Sequence, residues 1–138
     1  MCLNQVFAQN YYEIKSSLHP DLNHMDVEQK IIFHNNSENK LNHLILYDWN
    51  NAYSANDTPL SKKLSEEYNL ALIKSEKKDR GFTKINKIST GSSNLSWKRT
   101  AENPDLIEII LINELEKNQR IEVNINYRLV FPNSKMHD

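Results

Sequence analysis

Five histidines, His19, His24, His34, His43 and His137, are the side chains in this chain best suited to hold a metal ion. A hydrolytic zinc site uses neutral imidazoles on one face of an element, most simply two His four apart on a helix with a Glu beside the first. No two of the five are four apart, and H-E-x-x-H does not occur. His19 and His24 differ by five, which on one continuous strand would put them on opposite faces. Each His therefore reads as a surface or turn residue. Nucleophilic chemistry fares no better. With two Gly in the chain there is no G-x-S-x-G elbow, no phosphate-cradling G-x-x-x-x-G-K and no G-x-G-x-x-G. The single Cys, Cys2, rules out an internal disulfide. Paired carboxylates suit acid–base work when their environments differ and are partly buried. Glu66-Glu67 reads as the wet side of a helix, and Glu114 with Glu116 as loop charges. The expected roster is thus catalytic: none; metal: none; cofactor: none.

A second kind of chemistry is stacking. Residues 44–60 read LILYDWNNAYSANDTPL, with Trp49 and Tyr53 set among turn-forming Asn residues. Exposed with Trp97, they could form a sugar- or peptide-stacking surface. Buried, they would be a corner of the core, which is the reading favoured by the strand ahead of them and the helix start behind them.

The elements that would position these residues follow from periodicity. Ile121, Val123, Ile125, Tyr127, Leu129 and Phe131 alternate with mostly polar neighbours until Pro132, marking a half-buried antiparallel strand. Tyr12, Ile14 and Leu18 precede a turn at His19-Pro20-Asp21, and Met25, Val27, Ile31 and Phe33 form the next strand. Leu41–Tyr47 and Leu106–Ile112 are apolar on both faces, as central strands between packed layers would be. Leu95-Ser96-Trp97 follows a turn and is expected to pair back on Ile85–Ile88. Leu60, Leu64, Tyr68 and Leu72 lie four apart, giving one inserted α-helix over about 59–74, with Thr58 as N-cap and Pro59 at its first position. The fold class is mainly β: an antiparallel β-sandwich with one helical excursion.

Composition bounds the rest. A length of 138 residues is one domain, and 38% apolar with 25% charged residues fits a folded, water-exposed chain without a membrane span. A net charge of −1 lacks the electrostatic footprint of a nucleic-acid binder. Nineteen Asn against two Gly suggest that Asn does the turn work usually given to Gly. Val6 and Ala8 are spaced like the −3 and −1 residues of a secretory cleavage site. Residues 1–8 read as the remnant of a signal peptide, placing the domain at 9–138 and the protein outside the cytoplasm; the alternative is an ordinary N-terminal tail with chance spacing.

Several of these segments, taken in order, resemble one family. Tyr11-Tyr12-Glu13-Ile14, the strand at 26–35, Leu44–Tyr53 with W-N-N-A-Y, Asp79-Arg80-Gly81-Phe82 and Ile121–Pro132 look like the N-terminal β-domain of zinc-dependent aminopeptidases of the alanyl-aminopeptidase and leukotriene-hydrolase type, closest to its secreted bacterial branch. The resemblance covers about nine-tenths of the chain, and no single motif in it is specific. It implies a saddle-like sandwich that packs on a catalytic domain of the same peptidase and shapes its active-site entrance. The zinc, H-E-x-x-H and G-x-M-E-N would belong to that catalytic domain and are absent from this sequence. Trp49, Asn51, Tyr53, Asp79 and Arg80 carry over as interface or structural signature, with no catalytic role. The alternative is an independent secreted β-sandwich module that binds carbohydrate or a protein partner. The first reading also implies an uncovered apolar patch larger than a free-standing monomer tolerates.

Overall fold

The structure, a computed structural model, describes residues 10–100 and 102–133, so the expected signal remnant at 1–8 lies outside the described residues. Among the described residues eight strands form two antiparallel sheets. They are β1 (Tyr11–His19), β2 (His24–His34), β3 (Leu41–Tyr47), β4 (Phe82–Thr90), β5 (Ser93–Asn94), β6 (Ser96–Lys98), β7 (Leu106–Leu115) and β8 (Arg120–Val130). The first sheet runs β1-β2-β8-β4-β5 and the second β3-β7-β6. This is the mainly β, sandwich-like fold that the alternating strands require. Among the described residues no helix is long and apolar enough to cross a membrane.

Alternation decides what each sheet buries. Residues directly opposite in an antiparallel pair share a face. The register Ile31↔Val123 and Gln29↔Ile125 therefore sends Ile31, Val123 and Ile125 to one side, where they meet Leu44, Ile107, Ile109 and Leu111 of the second sheet. Ile88 and Leu95 complete this core from the β4–β6 side.

The inserted helix is in two pieces, α1 (Pro59–Glu66) and α2 (Ala71–Lys74). Thr58 caps α1 as the sequence implies, its hydroxyl accepting from Ser61 N at 3.2 Å. The break falls at Tyr68, whose φ of 62° is left-handed and cannot continue a right-handed helix. The four-residue apolar spacing hides this, because periodicity reports faces rather than backbone sign. Asn23 and Asn118 are the other non-Gly residues with positive φ among those described, so Asn does take turn positions that Gly usually fills.

Two strand assignments need correction. Of Leu95-Ser96-Trp97, only Leu95 pairs back on β4, its N–H donating to the Ile88 carbonyl at 2.9 Å; Ser96 and Trp97 do not. The short β5 does so through Ser89↔Asn94, and the chain then crosses at Leu95 so that Trp97 pairs Ile109 in the second sheet. Leu41–Tyr47 is an edge strand rather than a central one, since among the described residues β3 pairs only with β7. Its apolar residues on both faces have a different cause. Leu44 and Leu46 face inward opposite Ile109 and Ile107, while Ile45 and Tyr47 point outward, exposed.

Candidate functional site

The sandwich is open on one side. Its five-stranded sheet continues past β2 to β1, and the three-stranded sheet stops at β3, with no strand among the described residues facing β1. Tyr12, Ile14 and Leu18 share a face with Ile31, Gln29 and Met25 by register, so they point toward the core layer. They nevertheless remain 54%, 59% and 61% exposed. Between β1 and β3 runs a cleft of about 470 Å³, lined by Tyr12, Tyr47, Trp49, Asn50, Gln29 and Tyr127 among others. The Tyr127 hydroxyl donates to Gln29 Oε1 at 3.0 Å, and burial, with the Asp48 charge as a smaller cause, pushes its pKa up.

The floor of this cleft at its β3 end is a buried polar knot. Asp48 follows β3, and its carboxylate accepts from Arg99 Nη2 at 2.5 Å and from the Thr83 hydroxyl at 2.6 Å. Arg99 Nη1 also donates to the Pro104 carbonyl at 3.0 Å, while the Arg99 guanidinium lies 5.9 Å from the centre of the Trp97 ring. Asn51 accepts from Thr83 N at 3.2 Å and donates to the same Pro104 carbonyl at 2.6 Å. Among the described residues every buried side-chain donor and acceptor is matched, which is what a low-dielectric interior requires.

The residues expected as an interface or structural signature have different surroundings. Asn51 is structural: its short 3₁₀ segment (Trp49–Tyr53) is tied to β4 and to the loop before β7. Trp49, expected in a buried corner of the core, is instead 63% exposed on the cleft, and Tyr53 is half-buried. Trp97, expected to join them in a stacking surface, has Arg99 over its ring instead. Asp79 and Arg80 fix the end of the helical excursion. Arg80 donates to Ser75, from Nε to its hydroxyl at 3.0 Å and from Nη2 to its carbonyl at 2.7 Å. The Asp79 carbonyl accepts from Asn133 N at 2.8 Å, pinning the chain beyond β8. Gly81, beside them, packs against Pro132; a Cβ there would sit 2.7 Å from Pro132 Cδ and 3.0 Å from its backbone nitrogen. Gly81→Ala should therefore destabilise the fold by about 1–3 kcal/mol, the usual cost of overpacking, read as a lower urea midpoint at unchanged slope.

The acid pairs keep a mundane role. Glu114 lies within β7, one residue before its end, rather than in a loop, and Lys40 Nζ lies 2.6 Å from Glu116 and 3.8 Å from Glu114. Asn35, the first of three N-x-S/T triplets, is 1% exposed and spans Asn39 and Leu115 carbonyls, so its amide is out of reach of any modifying enzyme.

The histidines correct the sequence reading most. His24 and His34 are buried rather than surface residues. His19 and His24 are not on one strand: the 3₁₀ turn Pro20–Leu22 folds the chain back, making them directly opposite partners on the same face. Their rings lie 4.8 Å apart, with Asp26 against both. The signal was legible as His-Pro-Asp-Leu-Asn-His, a Pro-opened turn flanked by two imidazoles. It is missed when spacing alone is counted.

No protein-family model matches the chain, and no curated protein matches it.

Proposed function

We propose that this chain is the non-catalytic N-terminal β-domain of an exported zinc metalloaminopeptidase. Its part is to pack on the catalytic domain of the same peptidase and to shape the entrance of that domain's active site. The observation that carries the reading is the bare inward face of β1, where Tyr12, Ile14 and Leu18 extend the core layer beyond the reach of the second sheet. Tyr47 and Trp49 continue that apolar rim across the cleft, 83% and 63% exposed. An independent module gains nothing from apolar residues that point inward and meet water; a domain completed by its neighbour does. The outward Ile45, Ile110 and Ile112 add a second exposed apolar set on the short sheet.

The test is to read the gene beyond the codon for Asp138. A downstream H-E-x-x-H in the same frame, or in a frame joined to it by a slip, supports the reading. A stop codon followed by an unrelated gene overturns it. On its own, the purified chain should not hydrolyse aminoacyl-anilide substrates with or without added zinc, since the general base and substrate loop would lie in the other domain; zinc-dependent turnover by this chain sinks the proposal.

One observation favours a second reading, a carbohydrate-binding module. Trp49 offers an open ring beside Asn50 and Gln29, the pairing of stacking face and amide that sugars engage. Glycan-array signal that disappears in Trp49→Ala, with the circular dichroism unchanged, would select it over the first.

A further inference from the structure

We infer that His19, His24 and Asp26 form a binding site for a divalent transition-metal ion of the zinc type, at the closed end of the β1–β2 hairpin. Neither function reading above requires it, and the sequence alone places no metal in this chain.

Three ligand atoms converge there. His19 Nε2 lies 3.5 Å and His24 Nε2 3.9 Å from the same oxygen, Asp26 Oδ2. One potential ligand atom from each of the three residues can be chosen so that all lie within 4.8 Å of one another. Metal–ligand bonds of about 2.0–2.1 Å at tetrahedral angles separate neighbouring ligand atoms by roughly 3.3–3.4 Å. The two imidazole–carboxylate separations exceed the optimum for a direct hydrogen bond and lie about 0.1–0.6 Å outside that metal-bound spacing, and the widest separation in the group, at most 4.8 Å, exceeds it by up to about 1.4 Å. The half-exposed His19 side chain is the ligand that would turn inward on binding.

The tautomer is set for ligation. His24 Nδ1 lies 3.2 Å from the Leu22 carbonyl oxygen, which can only accept. In the neutral ring Nδ1 therefore holds the proton and Nε2 presents its lone pair toward Asp26. This is the arrangement by which metal-binding imidazoles are fixed, with the far nitrogen donating to a backbone carbonyl. His24 is buried, so its ring is held by packing as well. The turn between the ligands is anchored in turn: Asn23 takes a left-handed φ of 52°, and its backbone and side chain bond to Phe131 at the end of β8.

Arg128 works in both directions. Its Nε and Nη2 hold the two Asp26 oxygens at 2.7 and 3.0 Å, orienting the carboxylate toward the imidazoles and keeping its pKa below the usual carboxylate range. Its charge also opposes a nearby cation, so affinity should be modest. Two His and one carboxylate leave one coordination position for water, and the nitrogen–oxygen donor set favours zinc-type ions over calcium or magnesium.

The experiment uses the full chain with Co²⁺ as a spectroscopic probe and Zn²⁺ as competitor. The expected result is a visible Co²⁺ absorption band of tetrahedral intensity, abolished by Zn²⁺. With Zn²⁺, the imidazole nitrogen resonances of His19 and His24 should shift while those of His34 and His43 stay fixed. His19→Ala, at a half-exposed position that leaves the fold intact, should weaken Zn²⁺ binding by about tenfold or more. His43→Ala, on the exposed part of β3, should leave it unchanged. Equal Zn²⁺ affinity in wild type and His19→Ala, or unshifted His19 and His24 resonances at saturating Zn²⁺, would overturn the assignment. The resonance measurement on the wild-type chain needs no variant, so a misfolded mutant cannot shield the proposal.

Discussion

Asp48→Ala is expected to lower the stability of the folded chain by about 3–5 kcal/mol, the cost of stranding one partner of a buried ion pair. The pair qualifies as buried, since the side chains of Arg99 and Asp48 are 16% and 8% exposed. Solvent screening, which reduces most ion pairs of this type to a fraction of a kcal/mol at the surface, acts weakly here. The substitution leaves the Arg99 guanidinium with the Pro104 carbonyl and the Trp97 ring as neighbours, and it strips the Thr83 hydroxyl of its acceptor. Against a typical total of about 5–15 kcal/mol, that loss can unfold the domain outright. Removing both charges together should be far milder: an Asp48→Leu/Arg99→Met variant fills similar volume without a stranded ion. Urea titration of wild type, each single variant and the pair gives the coupling directly. A loss below about 1 kcal/mol for Asp48→Ala would mean that the knot is wetter than its geometry implies, and the corner would then be open to reinterpretation as a binding surface.

The knot also marks the limit of what the sequence disclosed. Strand existence was legible wherever one face is wet, because Ile121 to Phe131 and Met25 to Phe33 alternate without ambiguity. The cap at Thr58 and the general use of Asn at turns were legible because each rests on local backbone chemistry. The Asp48–Arg99 pair was not, since its partners are 51 residues apart and each looks like an ordinary surface charge. Edge and centre were confused for β3 because an apolar residue pointing outward reads the same whether another layer covers it or not. The His19–His24 pair escaped for a related reason: spacing rules for ligands assume one element, and here a three-residue turn separates two. For the candidate site, the sequence singled out Trp49 and Asn51 but could not say that one lines an open cleft while the other locks the fold.

Ile109 and Ile14 are the same residue type in the same architecture, and they should respond oppositely. Ile109 is fully buried at the centre of the short sheet, touching the layer formed by Ile31, Val123 and Ile125. Ile109→Ala should cost about 2–5 kcal/mol through lost burial and the cavity left behind. Ile14, on β1 beyond the last strand of the facing sheet, is 59% exposed, and Ile14→Ser should change stability by no more than about 0.5 kcal/mol. The isolated chain should also self-associate as its concentration rises, because β1 and β3 combine bare apolar residues with unpaired edges. Ile14→Lys with Leu18→Lys should suppress that association while leaving the urea midpoint unchanged. The same double substitution should weaken docking of a partner domain at the rim by about tenfold or more if the rim is a docking surface, since central apolar contacts carry most of an interface's energy. If Ile14→Ser instead destabilised the monomer as much as Ile109→Ala, the face of β1 would already be covered in solution by the chain's own residues. The physical ground for a missing neighbour would then be gone, because nothing else about the open side demands one.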